Sequence, residues 1–269
     1  MTSYAQEVVL PSNGYLYDGK IPDGRVLVEP MGTKEEKLIA AGSGGPAIIK
    51  RIFDACVQCP IPHEELVLGD RLFLLLKIRE VTYGDEYRIS FRCDECGAKN
   101  SAVIKLSELE VKRATASTTS SFSVTLPLTN REIKLRLLTG RDEEKVAQYV
   151  SGLKKRTTHG AAEQAEYIYR LARRIDEIDG QAIGVSEAIQ FIEELKGRDS
   201  IAMRDAINDN DVGPLLEAAP VCEQCEYQSD TTPLAITAEF FRPRRHRSGD
   251  YDYIGAAEAL DAADKRNVG

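Results

Sequence analysis

The six cysteines are the feature that most constrains how this chain can fold. They form three C-x-x-C pairs, which are Cys56/Cys59, Cys93/Cys96 and Cys222/Cys225. The N-terminus, MTSYAQEVV, has no basic patch followed by an apolar stretch, so we expect no secretory signal and synthesis in a cytoplasm. In that compartment, C-x-x-C pairs more often bind a metal or carry out redox chemistry than form structural disulfides. Two such pairs supply the four thiolates that zinc binds in a tetrahedron.

Turn chemistry indicates which two pairs share the metal. A knuckle needs backbone N–H groups that point at its sulfurs, and Gly97 after Cys96 supplies one and tolerates a left-handed conformation. Pro60 follows Cys59 and has no N–H to donate. Cys56 lies on the apolar face of a predicted helix, Ala47–Cys59, where a free cysteine is a common small apolar residue. The sequence therefore predicts one structural zinc ion held by Cys93, Cys96, Cys222 and Cys225.

Two other interpretations of the cysteines remain open at this stage. The chain could be free of metal, with its cysteines reduced or cross-linked, because common zinc sites keep their two pairs closer together. A thioredoxin-like redox pair is less well supported. No C-x-x-C opens a helix after a strand here, and that is the position that lowers the pKa of a thiol.

Hydrophobic periodicity predicts an α+β fold with an insertion. Both knuckles lie between extended runs, so we expect a small zinc-knuckle β module built from two distant CxxC hairpins, with N-terminal helices and an inserted mainly helical region. The predicted segments are an extended N-terminal arm (1–30), a helical plus first-knuckle module (31–110), a linker (111–121), an inserted hairpin plus helical region (122–212), a second knuckle segment that completes the first module (213–243) and a polar C-terminal tail (244–269).

Several local features accompany this division. Asp70 is predicted to cap a helix over Arg71–Val81, and an apolar stripe predicts one helix over Ala161–Ile178. The N-terminal segment up to Pro30 contains few apolar residues, so we expect it to lie across an adjacent subunit or to add a strand to it. The three histidines, His63, His159 and His246, lack metal-ligand spacing and are interpreted as loop or solvated residues.

Charge and motif content argue against several functional classes. A net charge of −8 disfavours duplex binding, and the longest apolar run, Leu72–Leu76, is too short to span a bilayer. We therefore expect neither a nucleic-acid partner nor a membrane partner. The basic cluster Arg242–Arg247 is interpreted as a segment that docks on an acidic neighbour. No nucleotide-binding loop or nucleophile elbow is present, so we expect no enzymatic activity.

Residues 8–106 carry a resemblance to a known family. LPSNGYLYDG, the capped TKEEKLIA helix and GDRLFLLLKIREVTYGDEYRISFRCDECG are similar to the baseplate hub proteins of T4-type contractile-tailed bacteriophages. CEQC followed by Phe240–Phe241 fits the same family. The resemblance implies a structural virion component of the tail baseplate, assembled in the host cytoplasm. It also implies contacts with other phage tail and baseplate proteins, several copies in a symmetric assembly, and no catalytic residues.

Two alternatives to this function follow from the same residues. The first is a cytoplasmic tail-assembly factor that is absent from the finished particle. The second, from another functional class, is a zinc-ribbon protein that binds nucleic acid through Arg242–Arg247.

Overall fold

The chain has a mixed α/β architecture, seen in a computed structural model that describes residues 4–40, 46–153, 159–229, 232–234, 236, 239–241, 244–245 and 251–252. Within these residues the helices are α1 (Thr33–Ala40), α2 (Pro46–Cys56), α3 (Leu68–Tyr83), α4 (Gly140–Leu153), α5 (His159–Ala172), α6 (Val185–Glu194) and α7 (Gly197–Asn210). The strands are β1 (Gln6–Val9), β2 (Arg25–Val28), β3 (Val57–Gln58), β4 (Glu86–Arg92), β5 (Lys99–Lys105), β6 (Val111–Lys112), β7 (Ser121–Thr125), β8 (Glu132–Arg136), β9 (Ile175–Ile178), β10 (Gln181–Ala182), β11 (Gly213–Pro214), β12 (Glu217–Ala218), β13 (Thr232–Pro233), β14 (Arg244–Arg245) and β15 (Tyr251–Asp252). They form small antiparallel sheets.

The N-terminal segment belongs to the core of its own chain. β1 pairs with β2, and β2 pairs with β3, so the segment forms a three-stranded sheet. Leu10, Ile21 and Val28 are almost completely buried among residues of α2 and α3. Residues 4–30 therefore pack within their own chain and do not form a free arm, and the expected contact of this segment with an adjacent subunit stays a prediction. The segment has few apolar residues, but its Pro- and Gly-rich turns fold it so that about half of them are buried.

Asp70 fastens this segment to α3. Its carboxylate is fully buried and accepts hydrogen bonds from the backbone N–H of Ser12, at 2.9 Å, and from the Tyr17 hydroxyl. The Tyr17 oxygen in turn accepts the N–H of Val67 at 3.1 Å. The predicted helix cap is wrong, because α3 begins at Leu68 and Asp70 already lies in its first turn. Burial raises the pKa of the Asp70 carboxyl, and the two donors oppose that shift.

The inserted region contains a four-stranded sheet and the helices α4–α7, of which α5, α6 and α7 pack with the sheet around a second core. Its sheet has the order β10-β9-β8-β7, and the predicted hairpin of β7 and β8 is present. The single helix predicted over Ala161–Ile178 is wrong, since α5 ends at Ala172 and β9 follows. Asp179 and Gly180 have positive φ angles of 51° and 74° and connect β9 to β10. That Asp-Gly pair is a strong signal for a two-residue hairpin, and it overrides the helical stripe.

The two ends of the insertion meet beside α3. β6 pairs with β11, so Lys112 faces Gly213 and Val111 faces Pro214. The backbones of Gly69 and Gly213 are in direct contact, and a Cβ atom on Gly69 would overlap the carbonyl of Val212. The start of the predicted linker is therefore structured and not free chain.

Several predicted features lie outside the described residues. These are His246, most of the polar C-terminal tail (244–269) and most of the basic cluster Arg242–Arg247. The module boundaries proposed from the sequence stay predictions. Within the part of the chain that the structure describes, no helix has the length and apolar character needed to cross a membrane.

Substituting Gly69 tests the backbone crossing at the ends of the insertion. We expect Gly69→Ala to lower the free energy of unfolding by about 2–4 kcal/mol, because its Cβ has no space against Val212. Urea denaturation measures the effect. Gly152→Ala is the matched control, since nothing lies within 4 Å of its Cβ position in α4, and it should leave stability unchanged or raise it by up to about 1 kcal/mol. Equal stability of the two variants would contradict the crossing.

Candidate metal centre

The first cysteine knuckle is the tip of the β4–β5 hairpin. The two strands pair in register from Glu86↔Lys105 to Arg92↔Lys99, which leaves Cys93–Ala98 as the connecting loop. The backbone N–H of Cys93 donates to the carbonyl of Ala98 at 2.9 Å, and the N–H of Gly97 donates to the carbonyl of Cys93 at 2.9 Å. Gly97 has a φ of 69°, the left-handed conformation expected from the sequence.

The second knuckle repeats this pattern of hydrogen bonds. The N–H of Cys222 donates to the carbonyl of Tyr227 at 2.9 Å, and the N–H of Glu226 donates to the carbonyl of Cys222 at 3.0 Å. Glu226 has a φ of 57° and so occupies the left-handed position that Gly97 occupies in the first knuckle. The two turns therefore present their cysteines in the same local geometry, although only one of them contains glycine.

The four knuckle sulfurs lie together in space. All four fall within 4.8 Å of one another, and the Sγ–Sγ distances are 3.6 Å for Cys93–Cys225 and 3.6 Å for Cys96–Cys222. A disulfide would bring two sulfurs to about 2.05 Å. Tetrahedral Zn–S bonds of about 2.3 Å place sulfurs about 3.8 Å apart. The predicted grouping of the four cysteines is present, and its dimensions fit a tetrahedral metal ion.

Hydrogen bonds and burial shift the pKa values of the cluster thiols in opposite directions, lowering that of Cys222 and raising those of Cys96 and Cys225. Burial raises the pKa of Cys222, but backbone N–H donors at Cys225 and Gln224 outweigh it and lower the pKa to about 6. For Cys225, a backbone donor at Tyr227 favours the thiolate. Burial and the neighbouring thiols oppose that donor and raise the pKa to about 12. Cys222 therefore ionises readily, whereas Cys225 stays protonated. A bound divalent cation would lower the pKa of Cys225, because it compensates the negative charge of the neighbouring thiolate.

Asn100 joins the two knuckles, and its role was missed in the sequence. It lies on β5 and is buried. Its Nδ2 donates to the Cys222 sulfur at 3.4 Å, and its Oδ1 accepts the backbone N–H of Glu223 at 3.0 Å. Such contacts orient metal ligands and stabilise thiolate charge. The available signal was an asparagine within a strand, where this residue type is uncommon.

The remaining cysteine pair stays apart from this cluster. Cys56 is the last residue of α2 and is buried, and burial raises the pKa of its thiol to about 12. Cys59 is half-buried, and burial raises its pKa as well. Both thiols therefore stay protonated at neutral pH. Among the residues that the structure describes, no other group of three or more His, Cys, Asp or Glu side chains has the geometry of a metal site.

The fold and this cluster together define a modular α/β protein in which two distant hairpins meet at four cysteines. The chain belongs to the T4 bacteriophage base plate protein family, whose sequence profile matches residues 12–242. The matched region contains both knuckles and the whole insertion between them. The resemblance stated from the sequence is therefore confirmed at the level of the baseplate family. The curated proteins and the solved structures contain no significant match to the chain.

Glu226 offers a test of the shared knuckle geometry. We expect Glu226→Gly to raise the free energy of unfolding by about 0.5–1 kcal/mol, because glycine adopts the left-handed conformation without steric strain. Gly97→Ala, the opposite change in the other knuckle, should lower it by about 1 kcal/mol, since its open surroundings leave only the backbone strain. Thermal denaturation of the metal-loaded protein measures both. Destabilisation by Glu226→Gly would contradict the proposed equivalence of the two turns.

Proposed function

We propose that the chain is a non-enzymatic structural subunit of a contractile phage tail baseplate, positioned at its hub and stabilised by one structural zinc ion. The match of residues 12–242 to the baseplate family carries this proposal. The hub position rests on the narrower resemblance of residues 8–106 to T4-type hub proteins. Its partners would be other tail and baseplate proteins in a symmetric assembly of several copies, within the virion.

Zinc would act here as a cross-link between remote parts of the chain. The paired sulfurs belong to residues that are 132 and 126 positions apart in the sequence. Holding them together removes much of the conformational freedom that the unfolded chain would otherwise gain. A subunit that must keep its shape under the mechanical load of a contracting tail benefits from such a cross-link. The ion would have no open coordination position, which is typical of structural and not catalytic zinc.

The buried acids of the chain support a structural role over an enzymatic one. Asp142 accepts hydrogen bonds from Arg136 and Arg173, which hold the pKa of its carboxyl low against the effect of burial. Asp199 is fully buried and accepts bonds from the backbone N–H groups of Leu128 and Thr129. Each of these carboxylates links separate parts of the chain through its hydrogen bonds. It is therefore unsuited to acid–base chemistry.

Metal content tests the zinc proposal directly. We expect about one zinc ion per purified chain, because two C-x-x-C turns complete a four-sulfur site. Cys222→Ser should remove the zinc and destabilise both knuckles, whereas Cys56→Ala should keep it. Inductively coupled plasma mass spectrometry and calorimetry measure the two effects. The zinc proposal fails if the wild-type chain carries none, or if Cys222→Ser retains a full equivalent.

Particle composition tests the baseplate role separately. Mass spectrometry of purified mature tails should detect the chain in several copies, because a structural subunit stays in the assembly that it builds. A chain that is needed for tail formation but missing from mature particles would instead be an assembly factor. As a functional readout, phage lacking the gene should form normal tails when supplied with the wild-type chain and defective tails when supplied with Cys222→Ser.

A further inference from the structure

The four cysteines of the cluster differ in their exposure to solvent. The first cysteine of each knuckle is buried, since Cys93 and Cys222 are each 1 % exposed. The second cysteine of each knuckle, Cys96 or Cys225, is exposed. The cluster therefore has a closed side that faces the protein and an open side that faces solvent. A reagent in solution reaches Cys96 and Cys225 first.

The geometry of the knuckles produces this difference. On the closed side, Asn100 covers Cys222 and donates its Nδ2 to that sulfur at 3.4 Å. On the open side, Cys96 lies next to Gly97, whose Cβ position has no atom within 4 Å apart from its chain neighbours. Glu226, the corresponding residue of the second knuckle, is exposed. The open side is therefore a property of both turns.

Each short contact in the cluster joins an exposed cysteine to a buried one. The exposed Cys225 lies 3.6 Å from Cys93, and the exposed Cys96 lies 3.6 Å from Cys222. Both contacts also cross from one knuckle to the other. Shortening either contact to a disulfide needs a movement of about 1.5 Å, since the S–S bond is about 2.05 Å long. An oxidised sulfur on the open side thus has a sulfur of the other knuckle close by.

We propose that Cys96 and Cys225 are sites of oxidative modification by hydrogen peroxide. Their oxidation leads to two disulfides, Cys93–Cys225 and Cys96–Cys222, which join the same two hairpins that the metal joins. The exposure of one cysteine in each pair determines where the reaction starts. The 3.6 Å contacts determine which cysteine completes it.

The reaction takes two steps for each disulfide. The thiolate of Cys225 attacks one oxygen of the peroxide, so that an S–O bond forms, the O–O bond breaks and the departing hydroxide takes up a proton to become water. The thiolate of Cys93 then attacks the Cys225 sulfur. An S–S bond forms, the S–O bond breaks and a second hydroxide leaves and becomes water. Two thiolates, one peroxide and two protons thus give one disulfide and two waters, and the oxidised sulfurs no longer hold a metal.

This chemistry keeps the two hairpins joined under both reducing and oxidising conditions. A virion protein is assembled in a reducing cytoplasm and then leaves it for surroundings in which disulfides persist. Zinc joins the knuckles in the first environment, and bonds between residues 132 and 126 positions apart join them in the second. This consequence rests on the zinc-bound virion role proposed above, whereas the reactivity of the cysteines does not.

Peptide mapping tests the pairing. The purified, zinc-loaded full-length chain is treated with hydrogen peroxide and digested without reduction, and a chromogenic chelator reports released zinc. We expect peptides linked through Cys93–Cys225 and Cys96–Cys222, release of the zinc, and reversal of both by dithiothreitol and added zinc. Disulfides confined to Cys93–Cys96 and Cys222–Cys225, or sulfinic acids without disulfides, would overturn the proposal. Both cross-knuckle pairs in a chain purified without zinc would contradict the zinc site alone.

The order of reaction is measured on the wild-type chain, so that no variant has to fold. Brief treatment of the reduced, zinc-loaded chain with N-ethylmaleimide should label Cys96 and Cys225 about tenfold faster than Cys93 and Cys222, because access limits the reaction of buried cysteines. Mass spectrometry gives the four rates. Equal rates, or faster labelling of the buried pair, would contradict an open side.

Urea denaturation shows whether the disulfides replace the metal. After removal of zinc by a chelator, the oxidised chain should unfold at a midpoint about 1 M or more above that of the reduced chain, because the cross-links restrict the unfolded state. Cys56→Ala is the matched control, since it removes a cysteine outside the cluster, and it should show the same difference. Equal midpoints for the oxidised and reduced metal-free chains would rule out such a replacement.

Assembled tails give the last test. In purified tails treated with peroxide and then quenched with N-ethylmaleimide, the chain should form the same two disulfides as in solution. Reduced cysteines in tails, at a peroxide concentration that oxidises the free chain, would show that a neighbour covers the open side and would exclude this role in the virion. Absence of the chain from tails would contradict the baseplate role but leave the chemistry in solution intact.

Discussion

The meeting of two hairpin tips at four sulfurs is the constraint on which the rest of the chain depends. The cysteines of each contact are separated by 126 or more residues, so the intervening chain must leave the first module and return to the same point. The structure supports that return twice, through the pairing of β6 with β11 and through the contact of Gly69 with Gly213. The insertion can then build its own core around Ile133, Met203 and their neighbours.

The Gly69–Asp70 pair shows how a short sequence signature can carry two physical roles. Gly69 lets the backbone of the returning chain pass close to the start of α3. Asp70 accepts the Ser12 N–H and the Tyr17 hydroxyl and so holds the N-terminal segment in place. Adjacent residues thus secure both the beginning of the chain and the end of the insertion against the same helix.

Local chemistry made some features predictable from sequence. These are the left-handed turn at Gly97, the missing N–H of Pro60 and the extended run before Cys93, and each depends only on neighbouring residues. The β7–β8 hairpin was predictable for the same reason. β9 was missed because Ile175 and Ile178 fit a helical stripe as well as a strand, and the Asp179–Gly180 turn decides between them. Glu226 was missed because glutamate has no intrinsic preference for the left-handed conformation that its hydrogen bonds impose.

The sequence by itself determined the family, the two knuckles and the choice of the four cysteines that meet, because these follow from residue types at fixed short spacings. Only the tertiary structure decided that residues 4–30 pack in their own core, that Asn100 joins the two knuckles, and that the loop residue His63 is buried and stacks on Phe53. Those features depend on which side chains meet across long distances in the chain. Burial and hydrogen-bond partners are properties of the folded arrangement, and local sequence patterns do not encode them.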